Sequence, residues 1–345
     1  MPPENPAPVP TLAEVAAEAH VSRMTVSRVL RNSPHVLPET ARRVHAAIAK
    51  VGYRPDAEVS RLMSYLSRHQ ARRGYRPIIA WIDTVGKPGE SGAPLTMAAA
   101  RDRAEELGYH LEEFWIGKTA LSASRLSTIL LTRNIQAVIL PPVGDLEQSM
   151  DLPWRNFASV AIGFSLSAPA LDRVDQNHYH AALLALGKLR SLGYQRIGIV
   201  DTTHSEIRLE HNYLAGFLVH QLAVPARRRV PPLLVEDLQR DNFITWLKRH
   251  RPDAVLGFDS QIPDWIRAAG HDIPKDVGYA RLIVKPRQAE LSGVMLNAAE
   301  IGRAAVELVV GKLHRNEFGL PREPRITLVE GVWNEGATTR RLATS

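Results

Sequence analysis

Apolar residues along this chain follow two different periods, and the period changes near residue 77. Over residues 11–33, TLAEVAAEAHVSRMTVSRVLRNS, they recur three and four apart: Leu12, Val15, Ala16 and Ala19, then Val26, Val29 and Leu30. That spacing places each set on one face of a helix. The two sets are separated at His20-Val21-Ser22. Thr11 with Glu14 three residues on forms a capping box, and Ser22 with Thr25 three residues on marks a second helix start. Two short helices joined by a tight turn predict a helix-turn-helix. PETARRVHAAIAKVGY, residues 38–53, adds a third amphipathic helix, with Pro38 at its first position and Val44, Ala47, Ile48 and Val51 inward. Three helices of this size enclose one small core.

Farther on, Asp56 is placed to cap a helix whose Val59, Leu62, Met63 and Leu66 form an apolar stripe, and Arg72, Arg73 and Arg76 follow as a basic connector. From Pro77 the pattern turns to short apolar runs. IIAWI (78–82), a segment near 110–115, AVIL (137–140), SVAIGF (159–164), RIGIV (196–200), DAVLGF (253–258) and DVGYARL (276–282) read as buried strands. Helical stretches separate them, among them 95–108, ending at Gly108, and 123–133. This alternation predicts a parallel sheet covered on both faces. The length from residue 77 to 345 exceeds what one sheet needs, so two similar lobes around a cleft are expected. Ligands of such sheets sit at the carboxyl ends of the strands. GKPGESG (86–92) follows a strand but lacks the spacing of a phosphate loop, and is expected to be a mobile loop at the cleft mouth.

Charge sharpens the contrast between the two parts. Residues 1–75 hold 11 Lys and Arg against 6 Asp and Glu, whereas the remaining 270 hold 32 against 30. A basic small segment attached to a near-neutral large one points to a polyanion as partner of the small one. In a helix-turn-helix the second helix enters the major groove. Arg23, Met24, Ser27 and Arg28 are then the side chains that reach base edges and phosphates. There is no cysteine, which excludes disulfides and thiolate metal sites. No apolar run approaches the roughly 18 residues of a membrane span. The proline-rich start, MPPENPAPVP, has neither a basic region nor an apolar core of the signal-peptide kind and reads as a disordered tail. H-E-x-x-H, G-x-S-x-G and G-x-x-x-x-G-K-[ST] do not occur. In DQNHYH (175–180), His178 and His180 stand two apart, so on a helix they face different ways and are not expected to share a metal. These features predict a non-enzymatic cytoplasmic chain with no cofactor, no metal and no membrane partner.

Residues 11–55 resemble the headpiece of the lactose-repressor (LacI) family of bacterial transcription regulators, through TLAEVAAEAHVS, TVSRVL, HV, ETARRV and GYRP in order. The resemblance implies a DNA-binding transcriptional regulator, expected to be a repressor. It would bind a near-palindromic operator in double-stranded DNA as a homodimer. It implies that Arg23 and Met24 read bases, that Thr25, Ser27 and Arg28 touch phosphates or bases, and that Thr11 and His35 touch the backbone. Ser22 and Arg31 complete the headpiece candidates, although Arg31 stands where the family usually has Asn. Leu37 replaces the family's usual Ser cap, a loss of about 1 kcal/mol that Pro38 and Glu39 offset in part. The family folds a hinge helix next, and its minor-groove wedge falls here on Leu62, with Val59 beside it.

Over the rest of the chain the resemblance is carried by LRSLGYQRIGIV, AGF, AAGHDIPKDVG and AAEIGRAAVEL. It implies a type-I periplasmic-binding-protein-like α/β domain of two lobes holding a small-molecule effector in the cleft, with a carbohydrate-derived one as the candidate. The implied organisation is a tail at 1–10, a helix-turn-helix headpiece at 11–55, a hinge helix and linker at 56–76, and an effector-binding and dimerisation domain at 77–345. Family members that bind sugars commonly place an arginine three residues before the Gly of R-x-x-G-F; here that position is Tyr213. Their aspartate after the later strand has no counterpart in GYARLIV, and their Asn-Asp pair is Phe258-Asp259 here. The effector candidates are therefore Asp83, Asp175, Asn177, Tyr213, Asp259 and Trp265, and an unusual ligand or pose is expected.

Overall fold

The computed structural model describes residues 10, 12–22, 25–26, 29, 36–53, 76–84, 86–87, 90–91, 93–117, 121–143 and 150–342. The expected tail and the hinge helix with its apolar stripe lie outside the described residues.

Near the N-terminus the helices Leu12–Glu18 and Pro38–Val51 enclose, with helical residues Thr25, Val26 and Val29, a core of their own. Val15, Ala16, Ala19, Val26, Val29, Val44 and Ala47 are buried in it, and Ile48 and Val51 pack against it. These are the positions that the helical periodicity turns inward. His20 takes a positive φ of 51°, which ends the first helix. Arg43 then reaches across from the third helix to donate to the carbonyls of Ala19 (2.7 Å) and His20 (3.3 Å), pinning the turn. At the far end Gly52, at φ 72°, returns its N–H to Ile48 O at 2.9 Å, the left-handed stop that favours glycine.

The chain divides into two compact units. One comprises residues 1–161, 168–172 and 302–325, the other 162–167, 173–301 and 326–345. Among the described residues, strands β1 (Ile78–Asp83), β4 (His110–Trp115), β5 (Ala137–Leu140), β6 (Ala158–Ile162), β7 (Asp172–Gln176) and β13 (Ile326–Val329) form a six-stranded sheet in the order β13-β7-β6-β5-β1-β4. A second six-stranded sheet runs β14-β12-β11-β10-β8-β9, from β8 (Ile197–Thr202), β9 (Leu233–Val235), β10 (Ala254–Gly257), β11 (Gly278–Val284), β12 (Gly293–Met295) and β14 (Val332–Asn334). Pairing is parallel between β8 and β10 and between β10 and β11, and the edge strand β14 runs antiparallel to its neighbour β12. Ile199, Leu256, Ala280 and Leu282 face one way, toward the helices His178–Ser191 and Asn212–Leu222. Val200, Val255 and Tyr279 face the other way, toward Arg240–His250 and Ile262–Ala268. Period-two alternation in each strand thus feeds two cores, as strands buried on both faces require.

The GKPGESG segment holds a short antiparallel pair, β2 (Gly86–Lys87) and β3 (Glu90–Ser91), where the sequence suggested a loop. In the first unit, a Cβ on Gly302 would lie 2.1 Å from Thr96 O, so the helices Ala298–Arg315 and Pro94–Glu106 meet backbone to backbone. No helix among the described residues is long and apolar enough to cross a membrane.

Candidate functional site

In the headpiece the described part of the second helix is capped as its sequence suggests. Thr25 N donates to Ser22 Oγ at 3.1 Å, and the two hydroxyls lie 2.9 Å apart. This cap fixes the start of the helix expected to enter the groove. Thr11, Arg23, Met24, Ser27, Arg28, Arg31, His35, Val59 and Leu62 lie outside the described residues.

In the second unit, the carboxyl ends of β7, β8 and β11 gather a buried polar cluster. Asp175 accepts from Gln176 N at 2.7 Å and faces His178 Nε2 at 3.1 Å. The other ring nitrogen, His178 Nδ1, lies 3.1 Å from the Tyr213 hydroxyl. That hydroxyl donates to Leu282 O and accepts from Gln176 Nε2, both at 3.3 Å. Phe258 meets the Tyr213 ring edge-on, centroids 5.0 Å apart. Asp201, at the end of β8, and Glu206, in the helix Thr203–Arg208, are also buried here. Burial pushes the Asp201 carboxyl up to about 8, with the Glu206 charge adding to the rise. Burial likewise raises Glu206, against the hydrogen bond from the Leu214 N–H. Tyr213 is raised by burial and then by the charges of Asp175, Asp201 and Glu206.

The sequence candidates therefore separate. Asp175 and Tyr213 come together through His178. Asn177 is beside them in the chain, where it caps the helix His178–Ser191 by accepting from His180 N at 3.1 Å, and its amide donates to Glu330. Asp259 accepts from Gln261 N through its side chain and from the Tyr279 hydroxyl through its carbonyl. Trp265 fills the core on the other face of the sheet, its ring 5.7 Å from Phe243. Asp83 is buried at the end of β1 in the first unit. His180 is exposed and bonded to Glu330 while His178 is buried, so the two histidines do face different ways. No group of three His, Asp or Glu fit to hold a metal ion occurs among the described residues.

Residues 11–56 match the model of the family described as "Bacterial regulatory proteins, lacI family". The catabolite control protein A of Staphylococcus xylosus is 46% identical over 346 residues, covering 95% of this chain and 99% of that protein. The chain belongs to the lacI family. It is a transcriptional regulator. The lactose operon repressor of Escherichia coli (strain K12) is 24% identical over 222 residues, and the match spans 62% of this chain but only 58% of that repressor. Among solved structures, the lac repressor dimer bound to operator and the anti-inducer ONPF superposes with a TM-score of 0.54 at 18% identity, covering 97% of this chain and 100% of that one. That likeness supports the fold: a helix-turn-helix headpiece followed by a periplasmic-binding-protein-like α/β domain.

Within this LacI-family chain, the sequence reading missed Gln176, His178 as a hydrogen-bonding member of the cluster, Asp201 and Glu206. A usable signal was present for Asp201. It ends the apolar run RIGIVD, so it had to stand at the carboxyl end of a buried strand, where ligands of open α/β sheets bind. Glu206 carried no such signal, because its burial depends on the short helix folding back onto β8.

Proposed function

We propose that this regulator is a repressor that binds a near-palindromic operator as a homodimer and is controlled by a small-molecule effector, carbohydrate-derived in the first instance. Residues 11–55 serve as the DNA-binding headpiece, 56–76 as hinge and linker, and 77–345 as the effector-binding and dimerisation domain. Arg23, Met24 and Arg28 read bases; Thr11, Ser22, Thr25, Ser27, Arg31 and His35 hold the backbone; Leu62, beside Val59, wedges into the minor groove. The observation that carries this reading is the Arg43-pinned turn and the Ser22–Thr25 cap, which fix the start of the second helix relative to the third. The effector binds at the carboxyl ends of β7, β8 and β11, at Asp175, Asn177 and Tyr213. Asp83 and Asp259, at strand ends of their own sheets, are further candidates. Trp265 contributes through the packing of the second sheet.

The test is selection of operators from a random duplex pool, followed by footprinting across a salt series. Protection of two half-sites about one helical turn apart, with affinity falling steeply as salt rises, is expected. A chain that binds as a monomer with a flat salt response overturns the reading.

A further inference from the structure

Asp201 and Glu206 are 3% and 1% exposed, yet each keeps one oxygen without a hydrogen-bond partner in the protein: Asp201 Oδ2 and Glu206 Oε1. Gln176, 1% exposed, leaves its Oε1 unpartnered as well, although its Nε2 is bonded to the Tyr213 hydroxyl at the heart of the same cluster. All three unpartnered atoms are acceptors, and a buried acceptor without a donor costs stability. The second oxygens are occupied: Asp201 Oδ1 accepts from Thr202 N at 2.7 Å, and Glu206 Oε2 from Leu214 N at 3.4 Å.

Burial is the largest cause raising both carboxyls, and it takes Asp201 up to about 8, so Asp201 holds a proton at neutral pH. Beside Glu206 stand two histidines, the exposed His211 at 3.9 Å and the buried His178. The position where the family's sugar binders commonly bring a guanidinium is Tyr213, whose one proton is directed to Leu282 O. Asp175 adds a further carboxylate, while Tyr213 and Phe258 supply aromatic surface.

We propose that this cluster is a cation-recognition subsite, which takes an effector bearing a protonated amine or guanidinium whose N–H groups donate to Asp201 Oδ2, Glu206 Oε1 and Gln176 Oε1. The proposal rests on the reading above that the effector binds at these strand ends, and it names the chemistry that the effector brings there. An ammonium offers three donors and a guanidinium five, with charge-assisted bonds to carboxylates and attraction to aromatic faces. A neutral hydroxyl could donate to one acceptor but would leave a buried negative charge uncompensated. Charge balances by exchange: the cation enters, the Asp201 carboxyl loses its proton, and that proton passes to the buffer.

The experiment uses the full chain and matched probes: putrescine against butane-1,4-diol, agmatine against the same diol, and glucosamine against glucose. Thermal shift ranks the probes. Calorimetry at pH 7 in two buffers of different ionisation enthalpy then reads the proton count. The expected result is that at least one cationic probe binds while its neutral partner binds about thirtyfold or more weakly, with net proton release. Asp201→Asn and Glu206→Gln should each weaken the cationic probe and reduce the proton release. Neutral partners that bind as well as the cations, no cationic probe that binds, or binding without proton release overturns the proposal. Should either variant fail to fold, the buffer comparison on the unmodified chain decides alone. Operator binding of the same preparation is the control. Intact operator binding with no cation preference sinks only this subsite, whereas loss of operator binding sinks the proposed function and leaves the probe result standing.

Discussion

Lys312 and Asp172 form an ion pair with almost no exposed surface, and Asp172 also accepts the Arg325 backbone N–H at 2.8 Å. Burial alone would raise the Asp172 carboxyl, but the bonds from Lys312 and the Arg325 N–H outweigh it and hold it below its ordinary value. Removing one partner strands a buried charge. Lys312→Met is therefore expected to cost about 3–5 kcal/mol, and Asp172→Asn added to it should recover much of the loss, as read by denaturant unfolding. A lone loss equal to that of the double variant would show that the pair contributes nothing. A carboxyl lowered on folding contributes stability above its unfolded pKa, and that stability is lost as pH falls through the folded value, so this pair acts in the acid range. Asp201 works in the opposite direction. Its carboxyl is raised to about 8, so across the range from about 4 up to that value the folded chain binds more protons than the unfolded one. Stability should accordingly fall as pH rises through that window, and Asp201→Asn should flatten the slope. Equal slopes for the variant and the unmodified chain in melts from pH 5 to 8 would assign the pH dependence elsewhere.

Helix starts show how far local sequence decides an element. Leu37 occupies the N-cap of Pro38–Val51 in extended backbone, makes no side-chain cap and is 73% exposed. Leu37→Ser is expected to add the missing cap and stabilise the headpiece by about 0.5–2 kcal/mol, since little apolar burial is lost. An unchanged headpiece melt would mean that Pro38 and Glu39 already satisfy that end. The same locality explains which elements the sequence announced. Runs such as AVIL and IIAWI are apolar throughout because both faces are covered, and β5 and β1 appear where those runs lie. β7 reads DRVDQ, with Asp172 serving the Lys312 pair and Asp175 serving His178, so its polar residues hide a buried strand. β9, β12 and β14 are three residues long, too short for any period to emerge. The candidate site was half legible for a related reason. Asp175 and Tyr213 stood at positions where strand ends and the family resemblance direct attention. Gln176 and Glu206 joined them only through folding that brings β7, the Thr203–Arg208 helix and β11 together.

At the scale of the whole molecule, the headpiece and the α/β units have separate cores, so two ligands should report on them separately. The headpiece core of Val15, Ala19, Val26, Val29 and Val44 shares no member with the clusters around Tyr213 and Trp265. A headpiece this small is marginal by burial alone, which makes it the part most stabilised by bound DNA. Operator at about 100 times its dissociation constant should raise the headpiece transition by about 2.7 kcal/mol, and an effector probe at the same excess should raise the α/β transition by the same amount. Control of transcription requires more than two independent sites, because it needs a coupling free energy between them. Linkage makes that coupling reciprocal: if a probe changes operator affinity by some factor, operator must change probe affinity by the same factor. The measurement is a closed set of four dissociation constants, for operator with and without saturating probe and for probe with and without saturating operator. Equal ratios different from one are expected, below one or above one according to whether the effector promotes or releases DNA. Ratios of one on both sides, for a probe that binds at the Asp201–Glu206 cluster, would show that this cluster does not regulate DNA binding and would remove effector control through these strand ends from the proposed function.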